Sequence, residues 1–314
     1  MLKLAVMVAL SFWSAFAAKE PSRTLTYGRG YGPRTLPAFD KGYLLFINEP
    51  SGVEVWGPDG RLVFRTVLTS PPVAHVMSVA VDSDGTVAVG VAYSGAPHGR
   101  GGGIAMLDRS GKEIRFVETD RYMPAHVCFD AKHALWTFGW QRDIARNGAE
   151  DSQDYFLFRK YSVDGKQLGA YALRSLFPKP GLEPGAPSGG LWRLRISDDR
   201  TGAIAYSGQT SGNPEWIEVG LDGGLIGRWK LGPDHSDGVA FTSRNGICRL
   251  RGRGERIDCF DRGAQAWKTL GNTSATDENG RPLGILLGAD DEYLVFGKED
   301  VGGLRLSWVR APLQ

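Results

Sequence analysis

The chain has 314 residues, 42% of them hydrophobic and 11% aromatic, with 43 Gly and 17 Pro. Lys plus Arg number 37 against 35 Asp plus Glu, a formal net charge of +2, which is too even to imply nucleic acid or an anionic membrane surface as partner. Strings with i, i+3, i+4 apolar spacing are short and broken by Gly or Pro, so helical classes are excluded and a turn-rich chain is expected.

The first segment reads as an address. Lys3 precedes an apolar run from Leu4 to Leu10 that continues through Phe12, Trp13 and Phe16, and Ala15-Phe16-Ala17 is a small-x-small cleavage site. A signal peptide over residues 1–17 is expected, leaving 18–314 as one exported domain, periplasmic or secreted. The apolar run is shorter than the ~20 residues that span a bilayer, so no integral membrane segment is expected after cleavage.

Beyond the signal the chain repeats one unit, seen most openly between Met77 and Phe116. Val79 to Val81 and Thr86 to Val91 flank Asp82-Ser83-Asp84-Gly85; Ile104 to Leu107 and Glu113 to Phe116 flank Asp108-Arg109-Ser110-Gly111. Period-two alternation broken by Asp and Gly marks a hairpin, because those residues tolerate the positive φ of a tight turn. One unit is therefore four antiparallel strands. Turns ending in Gly60, Gly111, Gly165, Gly223 and Gly263 recur, and six apolar runs open the units: Leu36 to Phe39, Val76 to Val81, Val127 to Phe129, Leu191 to Ile196, Val239 to Phe241 and Leu283 to Leu287. A period of ~40–50 residues with four strands each predicts an all-β, six-bladed β-propeller. The sixth unit ends without a fourth strand, and an orphan run from Arg23 to Tyr27 precedes the first. The N-terminal run is expected to complete the last blade and leave no edge of the ring open.

The pattern resembles the six-bladed propellers of the NHL, TolB-like and SMP-30-like type, most visibly in VAVDSDGTVAVGV at 79–91. The resemblance implies the fold far better than an activity.

In such a ring one face carries the turns between strands one and two and between three and four, all short here. The other carries the long insertions Ala92 to Gly103, Trp140 to Asp154, Arg174 to Gly190 and Ser207 to Glu215. Long loops on a rigid scaffold concentrate function, so the site is expected on that face above blades two to four. Trp140, Arg142, Arg100 and Trp216 are the candidate anchors for a protein, peptide or carbohydrate ligand. The run Gly99 to Gly103 lacks the strand-to-helix setting and Lys of a phosphate loop and reads as a flexible connection.

His75, His126 and His235 precede innermost strands of different blades. Converging on the axis, they would hold a Zn or Ca ion with an open position for water or substrate. The resemblance adds that some NHL-type lyases bind metal through axial histidines, which gives the alternative function, a metal-dependent lyase or lactonase. No catalytic residue is assigned, since neither Gly-x-Ser-x-Gly nor a Ser-His-Asp arrangement is present, and no cofactor is expected for the leading reading, a non-enzymatic binding scaffold. His133 falls in a short turn on the opposite face.

Three cysteines remain. Counting outward from Arg253-Gly254, Arg251 faces Arg256, Arg249 faces Asp258 and Cys248 faces Cys259; opposed residues lie ~5.5 Å apart or less, within disulfide range. A Cys248–Cys259 bridge is expected, and Cys128 reads as an inert core thiol.

Overall fold

A computed structural model describes residues 23–26, 37–48, 50–69, 71–95, 99–141, 155–176, 182–183, 195–196, 199–207, 215–230, 238–243, 246–251, 256–270, 276, 282–300 and 303–311. The expected signal segment lies outside them, as do Arg142 and His235. Among the described residues no helix is long and apolar enough to cross a membrane. The one helical piece among them is a 3-10 turn at Arg174–Leu176.

The strands form six antiparallel sheets. Strand β1 (Arg23–Thr26) comes first in the chain. Blade one follows with β2 (Ala38–Asp40), β3 (Tyr43–Asn48), β4 (Gly52–Trp56) and β5 (Leu62–Val67). Blade two is β6 (Val73–Val81), β7 (Val87–Gly95), β8 (Gly99–Leu107) and β9 (Glu113–Asp120). Blade three is β10 (Tyr122–Phe129), β11 (Leu135–Gln141), β12 (Phe156–Tyr161) and β13 (Gln167–Leu173). In blade four a short piece, β14 (Leu182–Glu183), joins β15 (Arg195–Ile196), β16 (Arg200–Ser207), β17 (Glu215–Gly220) and β18 (Leu225–Lys230). Blade five is β19 (Gly238–Phe241), β20 (Ile247–Arg251), β21 (Arg256–Asp261) and β22 (Ala266–Thr269). Blade six is β23 (Ile285–Asp290), β24 (Tyr293–Asp300) and β25 (Gly303–Arg310), completed by β1.

The expected closure is present: Arg23 pairs Leu306 and Thr26 pairs Gly303 across the antiparallel β1–β25 ladder. First strands touch in cyclic order, β6 with β10, β10 with β15, β15 with β19, β19 with β23 and β23 with β2, while β3 meets β6. They line the inside of the ring. Fourth strands lie outermost and are largely exposed, as the patterns of β5 and β18 show.

The core explains why so many strands are apolar on consecutive residues rather than alternating. Each sheet is covered on both faces, as parallel sheets are in other folds. Leu45 and Ile47 pack with Val79, Val87 and Val89 of blade two, whereas Leu44 and Phe46 pack with Leu287 and Val295 of blade six. Six clusters result, one for each blade interface around the ring. The interface between blades four and five is built mainly on aromatic rings, Trp216 against Phe241 at 5.3 Å and Phe260 against Trp267 at 5.1 Å. Each such ring buries more apolar area than a Leu or Val.

Two expectations need correcting. Ala92 to Gly103 is not a loop: β7 and β8 extend through most of it, with Ala92 opposite Gly102, Tyr93 opposite Gly101 and Gly95 opposite Gly99. The glycines there are demanded by close packing rather than flexibility. A Cβ on Gly102 would sit 2.0 Å from the Tyr122 carbonyl oxygen, and one on Gly103 would sit 2.3 Å from the Phe116 ring. Likewise the stretch after Arg174 is not all irregular, because Leu182 and Glu183 pair with Ser207 and Tyr206 at the end of β16.

The Cys248–Cys259 bridge forms, with Cα atoms 4.1 Å apart, in the register counted from the sequence. Cys128 is buried and free.

Candidate functional site

The two faces of the ring differ in the way the repeat spacing implies. Connections between first and second or third and fourth strands are tight, the longest being stretches such as 82–86 and 108–112. On the other face the chain takes 142–155 between β11 and β12, 174–194 between β13 and β15, and 270–284 between β22 and β23.

Of the expected anchors on that face, Trp140 is the next-to-last residue of β11, opposite Met123, and is half-buried. Arg100 lies on β8 opposite Ser94, at the tip of the long blade-two hairpin. Arg142 lies outside the described residues. Trp216 is not on the surface: its indole is fully buried and donates Nε1–H to Glu218 Oε1 at 2.8 Å. Alternation places it, with Glu218, on the face of β17 turned toward blade five, so Trp216 is a core residue and no anchor.

The histidines occupy separate settings. His75 is exposed opposite Ala92, with register shifts on either side of it. His126 follows another shift, opposite Phe138, and its half-buried ring stacks on that of Phe138 at 6.2 Å. Bulges of this kind re-aim side chains out of the regular alternation, which is why counting along the strands could not place the rings. His235 lies outside the described residues. Among the described residues no three His, Cys, Asp or Glu are grouped to hold a metal ion.

The opposite face holds a polar cluster the sequence reading passed over. Asp82, at the end of β6, is 1% exposed. Its Oδ1 accepts the backbone N–H of Ser83 at 2.7 Å and lies 3.5 Å from Lys41 Nζ of blade one. Its Oδ2 lies 2.8 Å from Nδ1 of His133, which comes from the first turn of blade three. Lys41 Nζ also donates to the carbonyl of Phe129 at 3.2 Å, and Val81 N donates to Asp40 Oδ2 at 3.2 Å. The ends of three adjacent innermost strands are thus tied by one group of charges.

Blade three repeats the theme with different donors. Asp130 accepts Lys132 N and Ala134 N on Oδ1 at 2.9 Å each, and Trp136 Nε1 on Oδ2 at 3.0 Å. Lys160 Nζ lies 3.4 Å from Oδ2 and donates to the Leu221 carbonyl of blade four. Burial alone would raise the Asp130 pKa; the Trp136 indole, the two backbone N–H groups and Lys160 outweigh it and hold the carboxyl below the usual range. At the matching place in blade two, Ala88 replaces the tryptophan, and the donor to Asp82 is His133 from the next blade.

His133 stands where blade two has a glycine. Gly85 N donates to Asp82 O at 2.9 Å and Gly85 has φ +87°; His133 N donates to Asp130 O at 3.1 Å and has φ 64°. An L-residue pays about 1–2 kcal/mol for that left-handed conformation. A histidine in a glycine position was the signal available in the sequence, readable by laying DAKHA at 130–134 over DSDGT at 82–86.

No family model matches the chain, and no curated protein matches it. Solved propellers do. The WD40 repeats of RRP9 align with a TM-score of 0.51 at 12% identity, over 94% of this chain and 99% of that one. Virginiamycin B lyase from Staphylococcus aureus aligns at 0.47 and 12% identity, over 92% and 99%. A luciferin-regenerating enzyme aligns at 0.48 and 12% identity, over 88% and 92%. At 12% identity the RRP9 match supports a β-propeller fold and says nothing of activity; the count of six blades is that of the sheets described above.

Proposed function

We propose that the chain is an exported propeller scaffold that binds a protein, peptide or carbohydrate through the face bearing its long connections. The observation that carries this reading is the contrast between the two faces: tight turns on one, and the connections 142–155, 174–194 and 270–284 on the other. Connections longer than ~12–15 residues are uncommon in compact domains and are often functional, and binding residues concentrate on such loops. Trp140, Arg142 and Arg100 are the anchors, an indole and two guanidiniums suited to the desolvated centre of an interface. Export rests on the segment 1–17, and kinship with the NHL, TolB-like and SMP-30-like group rests on the repeat seen at 79–91.

A photo-crosslinking side chain placed at Trp140, and separately at Thr86 in a tight turn, tests the reading in the compartment where the protein resides. One discrete adduct from position 140 and none from 86 is expected. Equal labelling at both positions, or none at 140, would refute it. Mass analysis of the same protein checks the start at residue 18.

A further inference from the structure

We propose that the outer edge of blade three docks an extended segment of a partner protein, uncharged and largely apolar in its middle and acidic at both ends, which pairs with β13 as a fifth strand. The site lies on the wall of the ring and uses none of the residues of the long-connection face.

Three observations lead there. First, β13 ends its sheet, hydrogen-bonded to β12. Arg174 N donates to Tyr155 O at 2.7 Å, and the register continues with Leu173 opposite Phe156, Tyr171 opposite Phe158 and Gly169 opposite Lys160. Residues that exchange bonds alternate along an antiparallel pair, so Gly169, Tyr171 and Leu173 turn their N–H and C=O groups away from β12. Among the described residues no strand pairs with that row. Ala172, at φ 56°, kinks the end of the strand, and the straight part of the row runs from Gly169 to Tyr171.

Second, β13 is uncharged. Edge strands are commonly blunted by charged side chains that deter a further strand. Arg65 on β5, Arg115 on β9, Arg228 on β18 and Lys268 on β22 belong to fourth strands that carry charge, whereas β13 reads QLGAYAL. Third, the hairpin around this edge exposes aliphatic and aromatic side chains: Val163 is 53% exposed in its turn, Leu168 51% at the bulge that opens β13, and Phe156 39% at the start of β12.

Charge selects the occupant. Lys166 immediately precedes β13 and Arg174 immediately follows it, eight positions on. Asp164, the acid nearest in the turn, is engaged by the Ser162 hydroxyl. A second copy pairing antiparallel about Ala170 would set Lys166 against Arg174 at both ends, and like charges directly opposed destabilise a strand pair. A segment acidic at both ends meets a cation at each, whichever way it runs. Main-chain bonds to the open row supply affinity in such strand addition, and alternate side chains supply specificity.

The test is fluorescence anisotropy of the labelled peptide Glu-Val-Thr-Val-Thr-Val-Thr-Val-Glu against the full chain, with a twin that has Lys at both ends as reference. Saturable binding about ten-fold tighter than that of the twin is expected from two charge contacts reversed in sign. N-methylation of alternate amides is expected to abolish binding in one set, which faces β13, and to spare it in the other. Lys166→Glu with Arg174→Glu, at unchanged thermal melting, is expected to reverse the preference; Lys166→Glu alone, at an exposed position, is expected to cut it about three-fold if the double variant fails to fold. Failure of the acidic peptide to saturate, equal binding of the twins, or equal effects of the two methylation patterns would overturn the proposal. So would a wild-type chain that binds neither peptide and sediments as a dimer that Leu168→Lys dissociates, which would give this edge to a second copy.

Discussion

Glu218 of blade four is bound at once by Trp216 of its own strand and by Arg262 of blade five. Its carboxylate also lies 3.1 Å from Arg200 Nη1 and is fully buried, whereas the two arginines are about a fifth exposed. Removing one partner of a buried pair costs ~3–5 kcal/mol when the survivor is stranded away from water. Since both guanidiniums reach solvent, Glu218→Ala is expected to cost about 2–3 kcal/mol, seen as a lowered midpoint in chemical denaturation. Arg262→Ala is expected to cost less, because Arg200 still serves the carboxylate.

The Cys248–Cys259 bridge links residues 11 apart in sequence. Closing so short a loop restricts the unfolded chain modestly, by roughly 2–3 kcal/mol on a chain-entropy account. The double Cys→Ser variant is therefore expected to fold with a lower melting temperature. Differential scanning calorimetry of the variant beside the oxidised wild type measures the difference.

Glycine substitutions separate packing from flexibility in blade two. Gly102→Ala drives a methyl into the Tyr122 carbonyl, while at Gly224 the nearest atom to a new Cβ is Asp222 Oδ1 at 3.6 Å. Overpacking of this kind costs ~1–3 kcal/mol or more. Gly102→Ala is expected to melt several degrees below wild type and Gly224→Ala to match it within experimental error.

Acid should weaken the fold in a defined window. Asp130 is held below the usual carboxylate range, as are Asp84, by the Thr86 backbone N–H first, and Asp108, by the Ser110 hydroxyl first. A carboxylate with a depressed folded pKa binds its proton more readily in the unfolded chain, whose value is ~3.9. The stabilisation is present in full above that value and is lost as pH falls through the lower folded value. Melting temperature is expected to hold from neutral pH to about 5 and to drop below about 4, with Asp130→Asn flattening the drop.

The scaffold was legible because it rests on local rules repeated six times. Period-two runs, Asp-Gly turns, an orphan N-terminal run and a last unit short of one strand predicted the blades and the closing ladder, and counting outward from Arg253-Gly254 predicted the Cys248 register. The candidate site was less legible because its geometry is made by neighbours far apart in sequence. Nothing near Trp216 announces that Glu218 and blade five will bury it. Nor do the strand patterns reveal the bulges beside His75 and His126. His133 was overlooked because its turn was classed by face and length, whereas its meaning lies in a carboxylate one blade away. The run Gly99 to Gly103 misled for the opposite reason: composition suggested slack where Tyr122 and Phe116 leave no room for a side chain.

The closing ladder has a kinetic corollary. Arg23 meets Leu306 across almost the entire chain. Among the described residues that pairing spans the greatest sequence separation, and the loop entropy must be met before its hydrogen bonds form. Five blades can therefore assemble as hairpins while the sixth waits on a strand made first and used last. A circular permutant that begins at residue 27 and carries 23–26 after the present C-terminus would turn this distant pairing into a local hairpin, with the finished ring unchanged and its closure faster.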